Sequence, residues 1–438
     1  MRVVNLGVFG LGVVGSGLLR ILARNRDLIA SRLGAELRVK TVVTAHPEKP
    51  RDAPLDGIAL SSDPAAILTD PEIDVVAELI GGTTVARDVV LEALEAGKPV
   101  VTANKALLAE HAREVFGKVY EKNVSLGMEA AVAGGIPVLR SLREGLSGDN
   151  ILEIAGIVNG TSNFILTKMS AEGARFADVL AEAQRLGYAE ADPTFDVEGN
   201  DAAHKLAILV NLAYGTMVAY GDIYMEGISV VTPMDIDFAR QLGFTIKHLA
   251  IGKLNNGQVE ARVHPTLVPH SHLLSSVDGV FNAVFITGDN VDATMSYGRG
   301  AGAEPTGSAV LSDIIDVARN VLSGVGARVP PLSVQRDRLR ELKVMPIEGV
   351  SSEYYLRFQV RDQVGVLAQI TTIMGRNNIS IQSMIQPSQA DHPDDPVQVI
   401  LTTHRARERD VRKSLEQIAA LEFILGPTHL LRIERFIV

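Results

Sequence analysis

The spacing of apolar and polar positions changes character along this 438-residue chain. In the first third, short apolar runs at residues 3–9, 37–43, 75–79 and 99–102 alternate with longer stretches, 15–33 and 84–96, whose apolar positions recur at helical spacing. Strands alternating with helices predict a parallel sheet covered by helices on both faces. An Ala- and Gly-rich stretch, 126–136, ends at Pro137 and marks a change of unit. Beyond it, a strand at 154–158 meets the polar turn Asn159-Gly160-Thr161-Ser162-Asn163. Helices follow at 164–171 and 176–186, then a largely apolar helix through 206–210 and another near 234–242. Strand patterns around 250–263 and 283–288 make this middle unit mixed α+β, and a Gly-rich segment, 297–305, leads into a helix at 308–322. Residues 330–350, with three prolines and several charges, read as a linker. The final stretch runs strand 354–360, helix 365–374, strands 379–386 and 397–403, helix 407–418, which is the succession of a ferredoxin-like unit. Three units are therefore expected, at 1–135, 136–340 and 351–438, with 311–340 able to return toward the first.

Composition removes several functional classes. The net charge is −10 and there is no basic cluster, so neither nucleic acid nor an anionic membrane is an expected partner. Cysteine is absent, which excludes disulfides, thiolate metal sites and a thiol nucleophile. The longest apolar stretch, 206–220, is interrupted by Asn211 and Gly215 and is short for a bilayer span. A strand pattern begins almost at once, without a basic leader or cleavage site, so no signal peptide is expected and the chain reads as cytoplasmic.

The chemistry concentrates in two places. Asp201 and Lys205 stand four residues apart on a predicted helix and so share one face. Such pairs are usually solvated and weak, but here the helix continues as Leu206-Ala207-Ile208-Leu209-Val210. A buried lysine is costly unless paired or used, and Tyr188, Glu190 and Asp196 lie just upstream. The second place is Gly10-Leu11-Gly12-Val13-Val14-Gly15, between the first strand and the first helix. Glycines there permit a tight turn and close approach of backbone to a pyrophosphate on the helix N-terminus, the arrangement of a Rossmann-type dinucleotide domain. The second strand ends Thr44-Ala45 with no carboxylate for a ribose, and Lys49 and Arg51 follow, which favours NADP while leaving NAD open. Lys105 follows a parallel strand at its carboxyl end, where ligands bind in open α/β sheets.

These segments, together with Gly156–Phe164 (GIVNGTSNF), Gly187–Lys205 (GYAEADPTFDVEGNDAAHK) and Gly300–Thr306 (GAGAEPT), resemble bacterial homoserine dehydrogenases that carry a C-terminal ACT domain. The resemblance covers nearly the whole chain. It implies reversible NAD(P)H-dependent reduction of L-aspartate 4-semialdehyde to L-homoserine, in threonine, methionine and isoleucine biosynthesis. It assigns catalysis to Lys205, Asp201 and Lys105, and substrate binding to Glu190, Asp196, Tyr188 and Thr161. It assigns the cofactor to Gly10, Leu11, Gly12, Val13, Val14, Gly15, Thr44, Lys105, Gly302 and Glu304. It also implies a monovalent cation, sodium, held largely by main-chain oxygens of Glu129, Val132, Gly134 and Ile136. The family often has an Arg where this chain has Thr44-Ala45, which weakens the preference for NADP. Asp362-Gln363-Val364-Gly365-Val366-Leu367 resembles the ligand loop of ACT domains, and the implied effector is L-threonine. A homodimer formed through the middle domain, or a homotetramer, is the implied assembly. Among rivals, aspartate-semialdehyde dehydrogenase needs a nucleophilic Cys that this chain lacks. A general amino-acid dehydrogenase leaves the Asp201/Lys205 segment unexplained, and a silent amino-acid sensor leaves both that segment and the glycine turn unexplained.

Overall fold

Strands β1 (Val3–Phe9), β2 (Glu36–Val43), β3 (Ala59–Ser61), β4 (Val75–Glu78), β5 (Val100–Thr102) and β6 (Leu126–Gly127) form a parallel sheet in the order β3-β2-β1-β4-β5-β6. The computed structural model describes residues 2–387 and 396–436. Both faces of β1 are buried: Val4, Leu6 and Val8 pack on one side with Leu18, Val310 and Ile314, and Phe9 packs on the other with Ile67 and Val76. Such two-sided burial is what a parallel α/β sheet requires. The strand order reverses between β1 and β4, so a crevice opens at their carboxyl ends.

The helix expected over 15–33 is two helices, Val13–Arg24 and Arg26–Leu33, broken at Asn25, whose φ/ψ of −110/21° leaves the helical region. Asn competes for local hydrogen bonds and tolerates that conformation. The helix expected from 308 begins at Ala303 and runs to Ser323, packing on the helix Val13–Arg24. Two glycines allow the close approach: a Cβ on Gly17 would lie 2.3 Å from the Ala303 carbonyl oxygen, and one on Gly307 would lie 2.9 Å from the Leu18 nitrogen. Residues from 303 onward therefore help to build the core beneath the first sheet.

The second sheet contains β7 (Ile151–Ile157), β8 (Tyr224–Met225), β9 (Phe244–Asn255), β10 (Gln258–Pro269), β11 (Phe281–Gly288), β12 (Asp292–Arg299), β13 (Lys343–Val344), β14 (Ser351–Arg361), β15 (Ile381–Ile385), β16 (Pro396–Thr403), β17 (Ala406–Arg407) and β18 (His429–Ile433). Its main path is β12-β11-β7-β9-β10-β18-β14-β16-β15. The hairpin β9–β10 turns on Asn256-Gly257, both at positive φ (48° and 78°), as a two-residue hairpin turn requires. The last four members of the path have ferredoxin-like order, in which the chain-terminal strand β18 lies beside β14. On its other edge β18 pairs parallel with β10, through Thr266↔Arg432 and Leu267↔Ile433. One continuous sheet thus joins the middle and C-terminal units. Strand β12, half-exposed and with a glycine next to its end, was not visible as a strand in the sequence. Nor is 330–350 a free linker: Leu332 is buried, Arg340 donates to the Tyr214 carbonyl at 2.9 and 2.6 Å, and β13 pairs with β10. Among the described residues no helix is long and apolar enough to cross a membrane.

Candidate active site

A cleft of about 590 Å³ lies where the carboxyl ends of the first sheet meet β7 and the helix Asn200–Tyr214. On the first-sheet side, the turn at Gly10 sits between the ends of β2 and β4. Its amide donates to the Val43 carbonyl at 2.8 Å, and a Cβ there would lie 2.6 Å from the Leu79 oxygen. Gly10 has φ +98°, so two constraints select glycine. A Cβ on Gly15 would lie 2.4 Å from the Gly10 oxygen, which ties helix to turn. Gly12 begins the helix with no side-chain cap and no acid in the first turn, and a Cβ on it would meet nothing within 4 Å. Free N–H groups at an uncapped, unobstructed N-terminus suit a pyrophosphate, so these residues fit a dinucleotide. Leu11 is buried beneath the turn, Val13 is exposed, and Val14 lines the cleft.

Lys105 opens a short helix whose N-cap is Asn104; its side chain accepts from the Leu107 amide at 3.1 Å and donates to the Gly82 carbonyl at 2.7 Å. Behind it, the fully buried Glu78 accepts from Thr102 Oγ1 at 2.6 Å and from the amides of Ile80 and Gly81 at 2.8 and 3.0 Å. The ends of β4 and β5 are thereby fixed. Across the cleft, Gly199 (φ +92°) starts the helix Asn200–Tyr214, nearly all of which is buried. Lys205 Nζ donates to Asp201 Oδ2 at 2.7 Å and to the Val158 carbonyl at 2.6 Å, while Lys105 Nζ lies 3.2 Å from Asp201 Oδ1. Asp201 thus stands between two ammonium groups. Burial works to raise its pKa, but the charges of Lys205 and Lys105 outweigh that and hold it at about 2. Burial raises the carboxyl of Asp196, with the neighbouring Asp201 charge adding to the effect and an Asn159 hydrogen bond opposing it.

Of the residues predicted to bind substrate, Thr161, Tyr188 and Asp196 line this cleft with Lys105, Asp201 and Lys205. The Thr161 hydroxyl donates to the Tyr188 carbonyl at 2.6 Å. Glu190 is not brought to them: it is exposed, and its main-chain carbonyl accepts from Gln184 at 3.0 Å. Of the residues predicted at the cofactor, Gly302 lines the cleft as the N-cap of its helix. Glu304 is exposed and pairs at 3.2 Å with Arg24, which ends the helix Val13–Arg24 opposite the glycine turn. Thr44 is half-buried, its amide donating to the Ser61 carbonyl at 2.9 Å.

Glu129, Val132, Gly134 and Ile136 are buried in a turn containing two successive positive-φ residues, Ala133 and Gly134 (55° and 48°). Both Glu129 carboxylate oxygens accept main-chain amides, from Leu139 and Arg140 at 2.8 Å each. Burial, with the neighbouring Asp313 carboxylate adding to it, pushes Glu129 up to about 7. Among the described residues no group of three or more His, Asp or Glu side chains is arranged to hold a metal. A cation here would rest on main-chain oxygens, whose hardness suits one.

Sequence reasoning missed Asn159, whose amide nitrogen donates to Asp196 Oδ1 and Asp201 Oδ2, both at 2.8 Å. An Asn-Gly pair after a strand reads as a turn, and nothing local reveals that the side chain reaches residues 37 and 42 positions away. His204 was also missed; it is buried between Phe195 and Tyr220, 3.2 Å from Glu110 at the end of the Lys105 helix.

Comparison with known proteins bears directly on this site. Residues 137–315 match the homoserine dehydrogenase family, residues 10–129 the homoserine dehydrogenase NAD binding domain, and residues 354–423 the ACT domain. The chain is 48% identical over 435 residues to a homoserine dehydrogenase of Pseudomonas aeruginosa, covering 99% of this chain and 100% of that protein. The crystal structure of a homoserine dehydrogenase from Thiobacillus denitrificans superposes with a TM-score of 0.92 at 45% identity, over 99% of both chains. A hyperthermophilic archaeal homoserine dehydrogenase in complex with NADPH superposes at 0.61 with 28% identity, over 72% of this chain and 98% of that one.

Proposed function

The chain belongs to the homoserine dehydrogenase family and is an NAD(P)-dependent oxidoreductase; from that premise we propose how its own residues carry the reaction. The bound dinucleotide supplies or accepts the hydride. As the aldehyde carbon of L-aspartate 4-semialdehyde is reduced, negative charge builds on its oxygen. Lys205 stabilises that charge and donates the proton, and in the reverse direction it accepts the proton from the L-homoserine hydroxyl. Asp201 fixes the direction of the Lys205 ammonium, and Lys105 assists from the opposite wall. Asp196 receives the substrate ammonium, with Tyr188 and Thr161 beside it. Glu190 joins them only if its loop moves inward. The observation that carries this reading is the Lys105–Asp201–Lys205 array, with Asp201 and Lys205 buried and Lys105 partly exposed, facing the glycine turn across one cleft.

Further assignments rest on the same reading. NADP is the favoured dinucleotide, supported by Lys49 and Arg51 beyond Thr44 and by the absence of a carboxylate at the end of β2. Sodium is held by the main chain of Glu129, Val132, Gly134 and Ile136. L-threonine is the effector of the ACT unit, at the loop Asp362–Leu367, and controls flux into threonine, methionine and isoleucine. The assembly is a homodimer through the middle unit or a homotetramer, in the cytoplasm. The test is initial-rate measurement with L-homoserine and NADP⁺ or NAD⁺ in parallel, with and without L-threonine. Homoserine-dependent reduction, faster with NADP⁺ and slowed by threonine, supports the reaction, the dinucleotide and the effector together. No turnover with either dinucleotide sinks it, and a preference for NAD⁺ or indifference to threonine removes that assignment alone.

A further inference from the structure

Asn159 is buried at the end of β7, in extended backbone (φ/ψ −122/114°), and all the hydrogen-bonding atoms of its side-chain amide are in use. Its Oδ1 accepts from the Ser162 amide at 2.8 Å and so caps the helix Gly160–Glu172. The two hydrogens on Nδ2 go to different carboxylates, Asp196 and Asp201, at 2.8 Å each. The preceding carbonyl, Val158, accepts from Lys205 at 2.6 Å. Two adjacent residues therefore touch the proposed proton donor, the carboxylate that orients it and the carboxylate proposed to meet the substrate ammonium.

We propose that Asn159 is a positioning residue, whose single amide group sets the spacing of Asp196 from Asp201 and so registers the substrate ammonium site against Lys205. The proposal rests on the reading of Asp196 and Lys205 given above. The donor has to be neutral. A cation in this place would neutralise Asp196 before the substrate arrived, and an acceptor would set three oxygens facing one another. The titratable groups around the carboxylate pair are Lys205 and His204 from the same helix as Asp201, Lys105 from its own helix, and His248 on β9, both imidazoles being pushed down by burial, His248 to about 4. Burial raises the carboxyl of Asp196, and the Asn159 hydrogen bond opposes that rise ahead of the Lys205 and Lys105 charges.

Two substitutions separate positioning from capping. Asn159→Asp keeps an acceptor for Ser162, and Asp caps a helix as well as Asn does. It removes both donors and adds a third carboxylate. Asn159→Ser keeps a cap but is too short to bridge, and it adds no charge. The expected result for Asn159→Asp is a fall in kcat/KM for homoserine on the order of 100-fold, from the loss of two hydrogen bonds to charged groups. The acid limb of its pH profile moves upward by about one pH unit or more, because a like charge favours protonation. Asn159→Ser loses activity and moves the limb upward by less, since it removes the hydrogen bond that lowers Asp196 but adds no charge, and KM for the dinucleotide stays within about twofold in both, as its binding surface is untouched. Carbon-13 NMR titration of labelled Asp carboxyls reads the same linkage without turnover: Asp196 titrates higher in Asn159→Asp than in the parent. That readout stands if the parent proves inactive with homoserine, which would defeat the substrate reading alone. An Asn159→Asp protein with parental rates and an unmoved Asp196 titration overturns the proposal. So do losses in both variants that merely follow a fall in melting temperature.

Discussion

Arg432→Met removes a wholly buried guanidinium from the seam between the middle and C-terminal units. Arg432 donates to Glu226 at 2.7 and 3.2 Å and to Glu408 at 2.9 and 2.5 Å. It sits on β18, the strand that joins β10 to β14, so its loss bears on the pairing that makes one sheet of two units. Taking one partner from a buried ion pair typically costs about 3–5 kcal/mol, because the opposite charge is left uncompensated. Arg412, half-exposed, still reaches Glu408 at 2.9 Å and Glu226 at 3.5 Å, which places the expected loss at the lower end, about 3 kcal/mol. At roughly 2–4 °C per kcal/mol for a unit of this size, the transition falls by about 6–12 °C. Urea unfolding followed by far-UV circular dichroism is the suitable assay, since the chain has no Trp. Adding Glu226→Gln and Glu408→Gln should recover about half of the loss, since replacing the whole network is far milder than orphaning part of it. The pH dependence has a definite sign. Burial works to raise Glu226, but Arg432 outweighs it and holds the carboxyl below its ordinary range. The pair's contribution is therefore present above that range and lost as pH falls. In Arg432→Met the orphaned Glu226 is raised instead and is relieved by protonation, so the gap between parent and variant narrows on acidification. A variant within about 0.5 kcal/mol of the parent, the range of an ordinary surface change, would refute the argument that this network locks the units together.

The other predictions concern the cleft and the packing that shapes it. Asp201→Asn leaves Lys205 without its carboxylate, and kcat/KM should fall on the order of 10²–10³-fold in initial-rate assays. In the parent, KM for homoserine should rise on acidification while Asp201, held at about 2, is still ionised, because burial has raised Asp196; measuring KM against pH checks this. Gly10→Ala forces a Cβ to 2.6 Å from the Leu79 oxygen at φ +98°, and fluorescence titration should show dinucleotide affinity reduced by about tenfold or more, the order expected when backbone can no longer approach the pyrophosphate. Gly17→Ala sets a Cβ 2.3 Å from the Ala303 oxygen, and the overpacked helix pair should cost about 1–3 kcal/mol in denaturant unfolding.

What the sequence could disclose was local. The alternation of strand and helix, the glycine turn and the Asp201/Lys205 spacing all lie within one or two elements, and their periodicity survives in the folded protein. The breaks that were missed had weak local signatures. Asn25 interrupts a helix without Gly or Pro, and β12 is too exposed to show burial on one face. The joining of β18 to β10 could not be read at all, because residues 266 and 432 are brought together only by the fold. The site divides in the same way. Lys105, Asp196, Asp201 and Lys205 were legible as charged residues in apolar or strand-end surroundings. The part played by Asn159 was not, since its partners come from other elements. Glu190, carried over by resemblance, lies on an exposed loop outside the cleft.

The most direct measurement is the rate of the chemical step in Lys205→Met, set against the parent in single-turnover reactions with dinucleotide bound and L-homoserine in excess. If Lys205 moves the proton, the parent reduces its dinucleotide and the variant slows on the order of 10²–10⁴-fold, with dinucleotide affinity unchanged. A variant that reduces its dinucleotide at nearly the parental rate would contradict the central claim.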